Sequence, residues 1–252
     1  MMREFFIDEL PGIGFELFGL IHFMCLFILI GGLIVIYLNR DKISKLSSKM
    51  KKKITIAMVS IWLINRFIYM GSYIYFGIYD WRNDLPLHFC FISGYLFVYS
   101  LLFNNKKVFK VVYFFAFIGP LTATIWPALT SSFDYFVFYE FFISHHIFVL
   151  FTFFVYYMNN VKINKNDLYK SIFWANIVFL VAFVFNTIFG TNYIMSETLP
   201  DHVLELYPFL RHINYPIVIL EIAGLVVAML AYIPVYFKNT ENKHLQDGKS
   251  LL

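Results

Sequence analysis

Residues 17–38 have the sequence LFGLIHFMCLFILIGGLIVIYL, a run without a single Asp, Glu, Lys or Arg. Crossing the hydrocarbon of a bilayer takes roughly 20 mostly apolar residues in a helix, so this run predicts a transmembrane helix. Residues 39–53, NRDKISKLSSKMKKK, follow directly and carry seven Lys and Arg. Together the two segments predict a membrane span that ends on a strongly basic side of the membrane.

The rest of the chain repeats this alternation of apolar runs and short polar connections. Of its 252 residues 60% are hydrophobic and only 14% are charged, whereas soluble domains carry about 25% charged residues. A water-soluble fold could not bury so much apolar surface. We therefore predict an all-α, polytopic protein of the cell membrane, a single domain over residues 1–252. The apolar runs predict about seven transmembrane helices, at 15–38, 54–76, 85–103, 108–126, 136–158, 172–189 and 213–237.

The ends of these helices carry suitable residues. Asp84 is expected to cap the third helix with Pro86 in its first turn, and Asn214 and Pro216 are expected to do the same for the seventh. The Gly-Pro pair at 119–120 should bend the fourth helix, because proline removes a backbone hydrogen bond and crowds the preceding turn.

The distribution of basic residues predicts the orientation. Sixteen of the twenty Lys and Arg lie in residues 39–53, 104–110, 159–171 and from 238 onward. Because positive charge stays on the cytoplasmic side, the N-terminus is expected outside the cell and the C-terminus in the cytoplasm. The basic residues lie between apolar runs and form no separate basic domain, so we expect no nucleic-acid binding.

Several polar residues interrupt the predicted spans. Inserting an ionisable side chain near the middle of the membrane costs roughly 2.5–3.5 kcal/mol of free energy. Each such residue therefore needs a partner, water or a function to explain it. The polar residues in the predicted spans are His22, Asn65, Arg66, His88, Cys90, Glu140, His145, His146 and Glu221. From the helix rise, five of them lie about 8–15 Å below the outer surface: His22, Arg66, Cys90, His145 and Glu221. This clustering predicts a polar cavity in the outer half of the bilayer.

Structural explanations compete with the functional one. Arg66 would be neutralised by Glu140 or Glu221 in a buried ion pair. His22 would pack against a neighbouring helix through a hydrogen bond. Cys25, among apolar neighbours, is best explained as a small apolar residue of the core.

Cys90 would need a nearby base to react, because a thiol in apolar surroundings stays protonated. Adjacent residues on a helix point about 100° apart, so one of His145 and His146 faces the cavity and the other a neighbouring helix; we favour His145. His88 remains a third candidate, although it points nearly opposite to Cys90. A Cys-His pair would yield a thiolate that attacks an ester carbonyl and forms a thioester.

The chain also resembles a known family in several stretches that occur in the same order. It is similar to the YwaF-like family of bacterial integral membrane proteins, most specifically in LPLHFC followed by FFISH. The matching stretches are Gly19 to Leu26, LPLHFC at 85–90, Phe114 to Leu129, FFISH at 141–145, GTNYIM at 190–195 and LEIAGLVVAMLAYIP at 220–234.

That family is distantly similar to the eukaryotic transmembrane protein 164 family, whose members transfer polyunsaturated acyl chains from phosphatidylcholine to ether lysophospholipids through a cysteine. The resemblance implies Cys90 as the nucleophile and His145 as its partner. The residue after this histidine is typically glycine in the family but is His146 here, which leaves the identity of the base open. Bacterial membranes generally lack polyunsaturated phosphatidylcholine, so the resemblance implies only the reaction class.

The leading hypothesis is therefore an intramembrane acyltransferase or transacylase that needs no cofactor and no metal. Its partners would be a membrane phospholipid or lysophospholipid, with a lipoprotein as an alternative acceptor. The alternatives are a small-solute transporter or receptor with a polar cavity and a lipid-binding membrane protein without catalysis. The residues expected to bind substrate or support Cys90 and His145 are His22, Arg66, His88, His146, Asn186, Asn192 and Glu221.

Overall fold

A computed structural model describes residues 5–6, 14–129, 131, 133–199, 201–212 and 216–249. The regular elements of this part of the chain are helices, which confirms the all-α prediction. The longer helices are α1 (Leu20–Leu38), α2 (Ser48–Phe76), α3 (Phe89–Leu102), α4 (Lys106–Ala116), α5 (Phe136–Met158), α6 (Lys165–Phe189) and α7 (Pro216–Lys249). Short helices lie at Arg40–Ser44, Trp81–Asp84, Thr122–Ile125 and Asp201–Leu206, with 3-10 turns at Tyr193–Met195 and Pro208–His212.

Helical segments in the described residues confirm a multi-pass membrane protein. Six are long and apolar enough to cross a bilayer: Leu20–Leu38, Ser48–Phe76, Lys106–Ile125, Phe136–Met158, Lys165–Phe189 and Val218–Phe237. Helix α3 is apolar but has only 14 residues. It therefore rises about 21 Å, less than the roughly 30 Å of hydrocarbon.

The prediction for the start of the third helix is wrong. Helix α3 begins at Phe89 with His88 at its N-cap, and Asp84 instead ends the short helix Trp81–Asp84. The reason is Pro86, because the residue before a proline is forced out of the helical region. Leu85 accordingly has φ −59° and ψ 146°. Residues 85–88 thus form a tight turn, in which the Leu87 backbone N–H donates to the Leu85 carbonyl at 2.7 Å.

The Asp84 carboxylate does not cap α3 but forms hydrogen bonds with residues that precede this helix. It accepts hydrogen bonds from the Asp80 backbone N–H at 2.7 Å and from the Tyr69 hydroxyl at 3.3 Å. At the seventh helix, Pro216 is the first residue of α7. Asn214, its predicted cap, lies outside the described residues.

The predicted break at Gly119 and Pro120 takes the form of a π-helical turn. This turn, Phe117–Leu121, joins α4 to the short helix Thr122–Ile125. The Thr124 hydroxyl donates to the Pro120 carbonyl at 2.8 Å and so satisfies a backbone acceptor near the break. Wide turns of this kind are frequent at functional sites in helices.

Helices α4 and α5 form the centre of the molecule. In the most apolar stretch of Lys106–Ile125, which continues α4 through the π-helical turn, 56% of the residues are buried, and in that of α5 61% are buried. The value for the other four candidate spans is 11–22%. Helix α3 packs on α4, α1 and α2 pack on α5, and α6 and α7 pack on each other. The π-helical turn contacts α3, α5 and α7. The packing therefore brings α2, α3, α5 and the π-helical turn together at one place.

Candidate functional site

A small cavity lies where these four elements meet. Its volume is about 10 Å³, close to the space that one water molecule requires. Its walls hold a thiol, an imidazole and a guanidinium together. The lining residues are Trp62 and Arg66 from α2, Cys90 and Phe91 from α3, Pro120 from the π-helical turn, and Ser144, His145 and Phe148 from α5. We call this the Cys90 cavity.

The two ring nitrogens of His145 have different environments. Nδ1 lies 2.6 Å from the Phe141 carbonyl oxygen, one turn earlier on α5. A carbonyl oxygen can only accept, so Nδ1 carries the hydrogen and Nε2 keeps its lone pair. Nε2 has no hydrogen-bond partner in the described part of the chain, and no hydrogen bond there joins it to the Cys90 thiol. His145 and Cys90 thus line the same cavity, and the basic Nε2 of His145 has no hydrogen-bonding role in the described structure.

Arg66 forms a buried ion pair with Glu140, so of the two partners considered from the sequence the structure selects Glu140 and not Glu221. Each of the paired residues is only 7% exposed. The guanidinium also lies over the Phe91 ring at 4.6 Å and the Tyr69 ring at 4.9 Å. Its Nε and Nη1 have no hydrogen-bond partner among the described residues. Because breaking a buried pair typically costs about 3–5 kcal/mol, Arg66 is held firmly while it keeps unused donors.

Two of the predicted supporting histidines are used by the fold. His22 is fully buried; its Nδ1 accepts from the Phe18 backbone N–H at 3.0 Å, and its Nε2 donates to the Thr124 carbonyl at 2.9 Å. These bonds match the structural explanation and tie α1 to the segment after the π-helical turn. His88 Nδ1 accepts from the Ile194 backbone N–H at 3.4 Å. Neither residue lines the Cys90 cavity.

His146 and Glu221 also lie outside the wall of the Cys90 cavity. His146 is 8% exposed and packs edge-on against the Phe142 ring, with centroids 5.6 Å apart. Its Nε2 has no hydrogen-bond partner within the described ranges. Glu221 is half-buried on α7. Of the two adjacent histidines on α5, only His145 lines the same cavity as Cys90.

The two predicted asparagines shape the loop after α6. Both amide hydrogens and both lone pairs of Asn186 are used within residues 191–196, including bonds to the Tyr193 carbonyl at 2.8 Å and backbone N–H at 2.9 Å. Asn192 closes the next turn through the Thr198 carbonyl at 2.9 Å. The Asn186 side chain therefore has no hydrogen-bonding group left for a substrate.

A family comparison covers this whole region. A model of the TMEM164 family matches residues 17–232. The chain belongs to the TMEM164 family. This confirms the resemblance to the transmembrane protein 164 family, and the match spans each residue of the Cys90 cavity, from Trp62 to Phe148.

A distant bacterial relative of this TMEM164-family chain is also found. An uncharacterized protein of Treponema pallidum (strain Nichols) is 27% identical over 132 residues, which cover 50% of this chain and 53% of that protein. The chain thus spans about half the length of that curated relative. No solved structure matches the chain significantly.

The sequence analysis of this TMEM164-family chain missed Tyr193, which holds the start of the turn that leads to Cys90. The Tyr193 hydroxyl donates to the Trp81 carbonyl at 2.5 Å and accepts from the Leu85 backbone N–H at 3.1 Å. Burial raises the pKa of this hydroxyl, so it stays protonated and remains a donor. The signal for Tyr193 was its place within GTNYIM at 190–195, one of the stretches that carry the family resemblance.

Proposed function

We propose that this TMEM164-family protein is an intramembrane acyltransferase or transacylase that works through a thioester on Cys90. His145 acts as the base, a glycerophospholipid is the acyl donor, and the site lies in the outer half of the bilayer. The observation that supports this most directly is the shared cavity: Cys90 from α3 and His145 from α5, whose Nε2 has no hydrogen-bond partner among the described residues, line the same small cavity.

The reaction would proceed in two transfers. His145 Nε2 takes the proton of the Cys90 thiol, and the thiolate attacks the ester carbonyl of the donor. The tetrahedral intermediate collapses by breaking the ester C–O bond, and His145 returns the proton to the departing lysophospholipid oxygen. In the second transfer His145 takes a proton from the acceptor, whose hydroxyl or amine attacks the thioester. The thiol leaves as thiolate and recovers its proton from His145.

Arg66 is suited to stabilise the negative oxygen that forms in each intermediate. It lines the same cavity, and its Nε and Nη1 are buried donors without partners. Fixed donors aimed at a developing oxyanion usually make the largest single contribution to such catalysis, about 10²–10³-fold in kcat for one donor. The Glu140 ion pair would hold the guanidinium in place through the reaction.

The alternative of a small-solute transporter makes no use of a thiol and an imidazole in one cavity wall. Lipid binding without catalysis is distinguished from the enzyme by the need for the thiol. The decisive experiment therefore concerns Cys90.

Purified protein is incubated with a phospholipid that carries a radiolabelled acyl chain, and the protein-bound label is measured before and after neutral hydroxylamine, which cleaves thioesters. We expect a hydroxylamine-sensitive adduct on the wild-type protein and on Cys25→Ala, which removes the other cysteine of the chain. Cys90→Ala should carry none. An absence of adduct on the wild type, or an equal adduct on Cys90→Ala, overturns the proposal.

A further inference from the structure

A second, larger cavity adjoins the first. It has a volume of about 280 Å³, lies between α2 and α3, and shares Arg66 and Phe91 with the Cys90 cavity. We call it the lateral pocket. Its size is close to the lower end of the range for ligand cavities, roughly 300–1,000 Å³. One guanidinium and one aromatic ring thus line both spaces.

The lateral pocket opens toward the lipid-facing surface of the helices. Its wall includes Leu63, Phe67 and Tyr95, residues that are 41%, 80% and 44% exposed. In a membrane protein such apolar side chains contact acyl chains of the bilayer. A lipid chain could therefore enter from the side, without passing through water.

One part of the pocket wall is polar. Asp84, which precedes α3 and is 7% exposed, belongs to this wall and accepts a hydrogen bond from the Tyr69 hydroxyl at 3.3 Å. The pocket extends along α2 from Leu63 to Met70, about 10 Å of helix rise. Arg66 lies between these two positions. The wall thus combines apolar groups, a buried cation and a polar group, as an amphiphilic ligand requires.

Arg66 supplies the chemistry that selects the ligand. Its charge is already neutralised by Glu140, yet Nε and Nη1 remain buried without a partner. An unsatisfied buried donor costs about 1–3 kcal/mol, so an acceptor brought by a ligand would be favoured there. A neutral ion pair attracts a free anion only weakly, whereas a neutral carbonyl oxygen suits the spare N–H groups. This points to an ester carbonyl.

We propose that the lateral pocket binds one diacyl glycerophospholipid of the surrounding bilayer, with an ester carbonyl on Arg66 and the acyl chain against Leu63, Phe67 and Tyr95. The inference builds on the proposed function, because this ester would lie across the Phe91 ring from Cys90. Phe91 is then the side chain that must rotate for the ester to reach the thiol. The binding itself requires neither Cys90 nor turnover.

The first test is photolabelling of the full-length Cys90→Ala protein in vesicles of dialkyl ether phosphatidylcholine. The probe is a trace of diacyl phosphatidylcholine with a diazirine in one acyl chain. We expect labelled peptides from residues 63–70 of α2 and 91–95 of α3. Leu63→Trp should reduce this labelling at least about fivefold, because an added indole overfills the pocket. The matched control is Ile64→Trp, a neighbour on α2 that is 57% exposed and outside the pocket wall, and it should label as the parent does.

The second test needs no pocket variant and so does not depend on how Leu63→Trp folds. Photolabelling is competed with diacyl phosphatidylcholine or with dialkyl ether phosphatidylcholine of the same chain length, in vesicles of otherwise constant composition. The diacyl lipid should compete at least about tenfold better, the equivalent of roughly 1.4 kcal/mol.

The outcomes separate the two proposals. Labelling outside residues 63–70 and 91–95, or equal competition by the two lipids, overturns the lateral pocket as an ester-binding site. Labelling as expected combined with a wild-type protein that forms no adduct on Cys90 overturns the acyltransferase and leaves the binding site standing.

Discussion

The direction of the side chain decides which of the two adjacent histidines on α5 lines the Cys90 cavity. His145 and His146 are both buried, but a rotation of about 100° along the helix separates them. Only His145 lines the Cys90 cavity. Its Nδ1–H is fixed on the Phe141 carbonyl, which leaves Nε2 as the basic atom.

We therefore predict different effects for two matched substitutions. His145→Gln should slow formation of the Cys90 adduct by about 10²–10⁴-fold, the usual contribution of a positioned general base. His146→Gln should leave the rate near that of the wild type, because His146 does not line the cavity. The measurement is a single-turnover time course of hydroxylamine-sensitive label.

Thermal unfolding in detergent provides the control for this comparison, since both variants must remain folded. The assignment of His145 is contradicted if His146→Gln is the slower of the two folded variants. Equal rates for both variants and the wild type would mean that neither imidazole is the base.

For single residues, the sequence predicts how deep a side chain lies in the membrane better than it predicts which neighbour that side chain faces. Counting residues along a helix gives the distance of Arg66 or Cys90 from a helix end, and the cost of a buried charge shows that Arg66 needs a partner. The choice of Glu140 over Glu221 depends on which helices are neighbours, since α2 packs on α5. That is tertiary information. The assignment of Asn186 to the site also lacked this tertiary information. Nothing in its local sequence shows that its side-chain amide forms all of its hydrogen bonds with the loop after α6.

Among whole helices, the contact between α2 and α3 determines the shape of both cavities. Gly94 of α3 lies directly against the Trp62 ring of α2, and a Cβ at position 94 would overlap the indole. Trp62 is 3% exposed and lines the Cys90 cavity. A small residue at this contact allows the two helices to approach closely, as is common in membranes.

Gly94→Ala is therefore expected to destabilise the protein by about 1–3 kcal/mol, the usual cost of overpacking a well-packed contact. The indole must shift into the Cys90 cavity or the helices must separate, so alkylation of Cys90 by a small iodoacetamide should change as well. Thermal unfolding and the alkylation rate are the two measurements.

Gly71→Ala is the matched control on α2. A Cβ there would have no neighbour within 4 Å, and alanine favours a helix by about 0.5–1 kcal/mol relative to glycine. Gly71→Ala should thus be neutral or slightly stabilising. If the two glycine variants unfold at the same temperature, the close α2–α3 packing is contradicted.

The helices themselves were predictable because the bilayer demands long apolar runs, but two of their details were not. The third helix begins four residues later than predicted, at Phe89 instead of residue 85, because Pro86 forces Leu85 into an extended conformation. Tyr193, more than 100 residues away, then satisfies the Leu85 backbone N–H. The break at Pro120 was visible in the sequence, whereas its π-helical form depends on packing against α3, α5 and α7.

At the scale of the whole molecule, the Cys90 cavity lies toward one end of the helix bundle. Arg66 is ten residues from Phe76, the last residue of α2, and Cys90 is the second residue of α3. His145 is nine residues into α5, about 14 Å from its start. These three helix ends are the ones opposite the lysine-rich residues 39–53, which include the first turns of α2. The site and most of the positive charge therefore lie toward opposite faces of the membrane.

This separation makes the orientation of the site testable. Lys and Arg in short loops are retained in the cytoplasm, so the helix ends nearest the Cys90 cavity should face outward. In a background with both native cysteines changed to serine, we introduce Arg82→Cys or Glu197→Cys on the predicted outer side and Lys107→Cys or Lys162→Cys on the basic side; all four native side chains are exposed. A membrane-impermeant maleimide should label positions 82 and 197 in intact cells, and positions 107 and 162 only after permeabilisation. The reverse pattern would place the Cys90 cavity in the cytoplasmic half, where its lipid donor would come from the inner leaflet.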